Sequence, residues 1–234
     1  MRIDRFMSDA GLLSRRECAA AVRRGLITAD GVPVTSPSVH IDPERQTIAY
    51  RGTPVVYRAF TYIMLNKPEG YVSATEDRSL PYVVELLSPE LQRVGLFPAG
   101  RLDRDTTGLL VLTNDGALAH AWLSPRRHVE KLYRFTCREP LCPEAEARCA
   151  AGITIGDYVC KPAVLCPDPD RLGGTVTLTE GKYHQIKRML GALGNAVTSL
   201  ERLAFGTLRL DPSLPRGGYR FLTEEEITAL RSCV

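Results

Sequence analysis

The pattern of apolar and polar positions changes texture near residue 58. Before that point, Ile3, Phe6, Met7 and Ala10 recur at helical spacing between Arg2 and Ala10. Ser14-Arg15-Arg16-Glu17 is a capping box: the serine hydroxyl serves the first turn and the glutamate reaches back, so a second helix opens here. That helix buries Cys18, Ala21 and Val22 and stops at Gly25. Leu26 to Ala29, then Asp30-Gly31, then Val32 to Val34 reads as a hairpin with a tight turn. Thr47 to Arg58, which carries Pro54, reads as one last strand followed by a linker. The expected division is a small module over residues 1–58 and a larger domain over 59–234.

Beyond Phe60 short apolar runs dominate. Tyr62 to Leu65 is a strand, closed by the turn-rich Asn66-Lys67-Pro68-Glu69-Gly70-Tyr71, in which Lys67 is expected to be exposed. Arg78 to Leu87 is a loop with a short helix, and Val94 to Phe97 a strand. Leu109 to Leu112, bounded by Gly108 and by Asn114-Asp115-Gly116, is too short for a helix and reads as a buried strand. A short helix from Asp115 to Leu123 turns Leu118, Ala121 and Trp122 inward and ends in the basic loop Ser124-Pro125-Arg126-Arg127-His128. Lys131 to Cys137 alternates as a strand, with Tyr133, Phe135 and Cys137 on one face. Residues 144–151 are helical, residues 157–172 are irregular and broken by prolines, and Thr175 to Thr179 is a strand. Ile186, Met189, Leu190 and Leu193 form a buried helical stripe that Gly194-Asn195 stops, which places Lys187 on its flank. Arg202 to Gly206 ends a strand, Tyr219 to Leu222 follows, and Thr223-Glu224-Glu225-Glu226 caps a final helix.

Composition adds boundaries. The 234 residues are 44% hydrophobic and 24% charged, the balance of a globular protein, and a net charge of +3 permits a nucleic-acid partner without demanding one. Seven cysteines without a Cys-x-x-Cys pair, and four histidines without ligand spacing, argue against a metal site. No run of about 18 apolar residues is present, so no membrane span is expected, and the start of the chain lacks the apolar region of a secretory signal. A cytoplasmic protein with reduced thiols fits. No Gly-x-Ser-x-Gly elbow, Gly-x-Gly-x-x-Gly or P-loop appears, so no cofactor is indicated.

Candidate chemistry concentrates between Gly100 and Gly116, where Arg101, Asp103, Arg104, Asp105 and Asp115 bracket the apolar strand. A carboxylate on a loop pinned to a rigid strand can hold a fixed position, but a solvated turn with surface ion pairs fits the same residues. The string Gly-Arg-Leu-Asp followed by Asp-Thr-Thr-Gly-Leu-Leu resembles the central motif of the RsuA/RluA-type pseudouridine synthases, in particular the small-subunit ribosomal branch. The resemblance makes Asp103 the nucleophile. Arg101 belongs to the same motif and is expected at the RNA. Asp105 falls in a variable position of the pattern and receives no catalytic role.

Three further stretches carry the same resemblance. Asn66-Lys67-Pro68-x-Gly70-Tyr71 is similar to the family's first motif, with a structural role expected for Lys67 and Pro68. Glu130-Lys131-x-Tyr133 makes Tyr133 the ring that stacks on a flipped base, whereas its periodicity alone fits core packing. Gly181-x-x-His184-Gln185-x-Lys187 resembles the third motif and implies that Lys187 pairs with Asp103. Lysine there lacks the bidentate fork of arginine. His184 is set aside as structural. At the N-terminus, two short helices and a hairpin resemble the S4 RNA-binding module, which assigns Arg15, Arg16, Arg23 and Arg24 to phosphates; charge alone fits a solvated helix face as well.

The implied fold is α+β: an S4-like module followed by a catalytic domain with a mixed, mainly antiparallel sheet. The implied reaction isomerises a uridine to pseudouridine in 16S rRNA, at the position conventionally numbered 516. The expected substrate is 16S rRNA or a partly assembled small subunit, met by a monomer without a cofactor. A related 23S rRNA enzyme and a noncatalytic rRNA-binding assembly factor are the alternatives.

Overall fold

A computed structural model of the chain describes residues 1–124 and 126–233. Pro125, in the expected basic loop after the Trp122 helix, lies outside the described residues. The chain forms two compact units, Met1–Thr61 with Leu87–Phe97, and Tyr62–Leu86 with Pro98–Val234. Leu87–Phe97, which the sequence places beyond the linker, counts with the first unit.

In the first unit the helices Ile3–Asp9 and Arg15–Arg23 pack on a four-stranded antiparallel sheet around Ile3, Phe6, Met7, Cys18, Ile27 and Ile48. The expected capping box is present, with Glu17 N donating to Ser14 Oγ at 3.2 Å and Ser14 N donating to Glu17 Oε2 at 2.7 Å. The Asp30-Gly31 turn has φ of 52° and 80°, the left-handed pair that a two-residue hairpin requires. Thr47 to Arg58 differs from the expected single strand. It contains a second hairpin, Ile48–Tyr50 and Thr53–Pro54, turned at Arg51 (φ 51°) and Gly52 (φ 79°).

In the second unit one mixed sheet runs in the order Val164–Pro167, Gly173–Leu178, Lys131–Cys137, Val197–Phe205, Thr107–Thr113, Tyr62–Lys67 and Tyr219–Phe221. All these neighbours are antiparallel except Val197–Phe205 and Thr107–Thr113, which run parallel. Tyr62–Lys67 is buried along its whole length, as a central strand covered on both faces must be. The helix Gly116–Leu123 buries Ala119 and Trp122, while Leu118 and Ala121 are half-buried rather than inward. The segment expected to be irregular holds the strands Tyr158–Val159 and Val164–Pro167. Proline is tolerated in the latter because the strand lies at the sheet edge and Pro167 ends it. The expected strand terminus at Arg202 to Gly206 closes a nine-residue strand, Val197–Phe205, whose earlier part the sequence pattern does not show.

The register brings distant residues into one row. Val176 pairs with Tyr133, Tyr133 with Arg202, Arg202 with Gly108 and Gly108 with Lys67. Gly108 is required at its place: its φ is 98°, and a Cβ would lie 2.3 Å from the Arg202 carbonyl oxygen. Gly108→Ala is expected to destabilise the protein by about 3 kcal/mol or more, from backbone strain and collision together, measured by urea unfolding.

Candidate active site

The site is built where the loop before Thr107–Thr113 meets the turn before the helix Gln185–Ala192. Lys67 fixes the loop. It is fully buried, not exposed as expected from the turn around it, and its Nζ donates to the carbonyl oxygens of Thr106 (2.9 Å), Asp103 (3.0 Å), Arg104 (3.2 Å) and Pro68 (3.2 Å). Burial lowers its pKa to about 8, against the opposing pull of Asp105, Asp103 and Glu69. Ser73 adds a second tie: its Oγ donates to Leu102 O at 2.9 Å and accepts from Leu102 N at 3.0 Å. Gly70 N donates to Arg104 O at 2.9 Å. The backbone on both sides of Asp103 is therefore held by segments about 30 residues earlier, while the carboxylate stays partly exposed.

The opposing turn is held by a buried carboxylate. Glu180 accepts from Tyr158 Oη (2.6 Å), Gln185 Nε2 (2.7 Å) and Lys161 N (3.0 Å), and Gln185 Oε1 accepts from Lys182 N at 2.9 Å. Burial raises the Glu180 pKa, but these hydrogen bonds outweigh it and hold the group below the usual carboxylate range. His184 then takes a left-handed conformation (φ 50°, ψ 36°) at the start of the helix.

Across the gap, Lys187 Nζ lies 2.5 Å from Asp105 Oδ1 and 3.1 Å from Asp103 Oδ2. One ammonium thus bridges two carboxylates. Burial alone would lower the Lys187 pKa, yet the hydrogen bonds to Asp105 and Asp103 hold it above the usual lysine range. Burial raises the Asp105 pKa, and the Lys187 hydrogen bond reverses that. Asp105, left without a role by the sequence, is the nearer partner of Lys187, and its side chain is 61% exposed. His184, set aside as structural, brings Nε2 within 3.6 Å of Asp103 Oδ1.

Tyr133 is 9% exposed, in the row that contains Gly108 and Lys67, two strands from Gly108 and so about 10 Å away. Arg202, between them, is buried with Nε donating to Leu109 O at 2.7 Å and its guanidinium over the Phe205 ring. An arginine set among Leu200, Leu203, Ala204 and Phe205 is the one sequence signal that could have marked this position. Arg101 is exposed on the Asp103 loop. Arg15, Arg16, Arg23 and Arg24 belong to the first unit; all four are exposed, and none forms an ion pair among the described residues. Among the described residues no group of three His, Cys, Asp or Glu could hold a metal ion, and no helix is long and apolar enough to cross a membrane.

Comparison with known proteins points the same way as this geometry. The RNA pseudouridylate synthase family model matches residues 61–192, and the S4 domain model matches residues 1–46. An uncharacterized RNA pseudouridine synthase of Bacillus subtilis is 47% identical over 98% of each chain. The ribosomal small subunit pseudouridine synthase A of Escherichia coli is 40% identical, over 98% of this chain and 100% of its own. A crystal structure of a pseudouridylate synthase superposes with a TM-score of 0.70 at 38% identity, covering 98% of this chain and 99% of its own.

Lys67→Met would deprive three loop carbonyls, that of Thr106 buried, of their donor. A loss of about 3 kcal/mol or more is expected in urea unfolding. The pH dependence has a definite sign. The folded-state pKa of Lys67 is about 8 and the unfolded value is that of ordinary lysine, so between the two the unfolded chain binds more protons. The stability advantage of wild type over Lys67→Met should therefore be constant below pH 8 and grow above it, up to about pH 10.5.

Proposed function

Since the chain belongs to the RNA pseudouridylate synthase family, we propose that it converts a uridine of small-subunit ribosomal RNA to pseudouridine. The proposed target is the uridine conventionally numbered 516 in 16S rRNA, met in the free RNA or in a partly assembled subunit by a monomer. The small-subunit assignment draws on the name of the Escherichia coli relative, a ribosomal small subunit pseudouridine synthase that aligns over 98% of this chain and 100% of its own. The observation that carries the catalytic assignment is the pairing of Lys187 with Asp103, whose loop backbone is held by Lys67.

In this reading residues 1–58 grip rRNA through Arg15, Arg16, Arg23 and Arg24, whose exposure and lack of ion pairs among the described residues leave them available for phosphates. Residues 59–234 do the chemistry. The target uridine leaves its stack and its base is received on Tyr133, while Arg101 meets the RNA from the Asp103 loop. Asp103 assists cleavage of the N1–C1′ bond. The freed uracil turns and rejoins C1′ through C5; the C5 proton passes to water and N1 takes up a proton, so no atoms are gained or lost overall. An enclosed base does not escape, and water is kept from the sugar. Lys187 supplies a fixed positive charge that orients the Asp103 carboxylate, and its raised pKa keeps it protonated at neutral pH. Asp105 holds Lys187 from the other side.

The test is tritium release from rRNA transcripts labelled at uracil C5. Wild type should release tritium from small-subunit RNA, and Asp103→Asn should release none. Lys187→Met should be slower by about 100-fold, the size of a lost electrostatic contact in an active site, with Lys187→Arg recovering part of it. Release from 23S rRNA alone would replace the target, and no release from either RNA or from assembling particles would end the enzyme reading.

A further inference from the structure

The turn that aims Lys187 also carries an aromatic side chain used by neither the ion pair nor the sheet. Tyr183 is 76% exposed, and its ring stacks on the His184 imidazole with centroids 3.8 Å apart and planes 18° from parallel. The imidazole covers one ring face; exposure of this size leaves the other open to water. His184 Nε2 is itself 3.6 Å from Asp103 Oδ1. The open face of Tyr183 is thus two contacts from the carboxylate assigned to the reaction.

The pair is held in place at a cost. The left-handed backbone of His184 is unfavourable for a non-glycine residue by about 1 kcal/mol or more. Glu180, Gln185 and Lys182 N brace the backbone on both sides of it. Packing explains a buried tyrosine, and solvation explains an unrestrained one. A braced ring that faces water beside a reactive carboxylate calls for a flat ligand.

Two lysines lie beside rings on segments tied to the same Glu180 carboxylate. Lys182 Nζ lies 4.1 Å from the centroid of the Tyr158 ring, whose hydroxyl is bonded to Glu180. Lys161, whose backbone N also donates to Glu180, places Nζ 3.1 Å from His128 Nδ1. Rings beside cations suit a single RNA strand, in which bases stack on rings and phosphates meet positive charge.

We propose that the open face of Tyr183 stacks the base next to the target uridine, with Lys182 and Lys161 receiving the flanking phosphates. The proposal rests on the RNA reading above. A flipped uridine leaves a neighbour without its stacking partner, and Tyr183 replaces that partner within one nucleotide of Asp103. Tyr183 is in this sense a substrate-positioning residue.

Two measurements on the full-length protein test it: equilibrium binding to small-subunit rRNA transcript, and tritium release from the same RNA. Tyr183→Ala and Tyr183→Leu are expected to bind about 5- to 100-fold more weakly, the range for loss of one stacked base. They should raise the half-saturating RNA concentration more than they lower the maximal rate. Tyr183→Phe keeps the ring and restores affinity. Because the ring is neutral, the loss should be the same at low and high salt, whereas Lys182→Gln and Lys161→Gln should each flatten the salt dependence. Wild-type affinity in Tyr183→Ala, or recovery by leucine as full as by phenylalanine, would overturn the proposal. A wild type that binds rRNA but releases no tritium would sink the isomerase reading, while the binding series still decides the stack. A wild type that binds no rRNA would sink both.

Discussion

The buried ammonium of Lys67 is the contact on which the site depends. Among the described residues it has no carboxylate at ion-pair distance; carbonyl oxygens of Pro68, Asp103, Arg104 and Thr106 take the place of its water shell. A buried charge without such partners would cost several kcal/mol. Here the cost is divided between a pKa lowered to about 8 and the convergence of backbone dipoles. Those carbonyls would otherwise need water, which would loosen the loop. The lysine therefore fixes the backbone under Asp103 without neutralising its carboxylate, and the side chain stays available to Lys187.

Rigidity in the sheet extends this control sideways. The parallel pairing of Glu201 and Arg202 with Thr107 and Gly108 brings the start of one strand against the middle of another, close enough that only a glycine fits. Arg202 caps the carbonyl of Leu109 and, with Lys67 and Lys131, forms a set of buried or half-buried cations. Lys131 has its pKa lowered to about 8, by burial first and then by Arg202. Buried cations thus alternate with the carboxylates of Asp103, Asp105, Glu69 and Glu180, so charge in this region is paired rather than left isolated.

Where signals were local, the sequence was readable. Both capping boxes occur as read, because each is closed within four residues. The Ile186, Met189 and Leu190 stripe is buried, because one face of one helix carries it. The second hairpin of the first unit was missed because Arg51-Gly52 lacks the Asn-Gly or Asp-Gly signature, though both residues take the left-handed φ that such turns need. The edge strand Val164–Pro167 was hidden by its proline, and the full length of Val197–Phe205 by the polar residues Thr198, Ser199 and Glu201 that interrupt its apolar pattern.

At the site the division is sharper. The motif resemblance singled out Asp103, Tyr133 and Lys187, and the strand that follows the Asp103 loop and the helix that carries Lys187 were legible from the apolar pattern. Tertiary structure decided that Lys67 is buried, that Asp105 lies nearer Lys187 than Asp103 does, and that His184 reaches the carboxylate with Tyr183 stacked on it. The contacts of Lys67, Lys187 and His184 with the Asp103 loop join residues 36 to 84 positions apart, and the turn that carries Tyr183 is braced from as far as 22 positions away. A helix or a cap is set by neighbours along the chain. The environment of a charge is set by whatever the fold brings against it, and only the assembled sheet determines that.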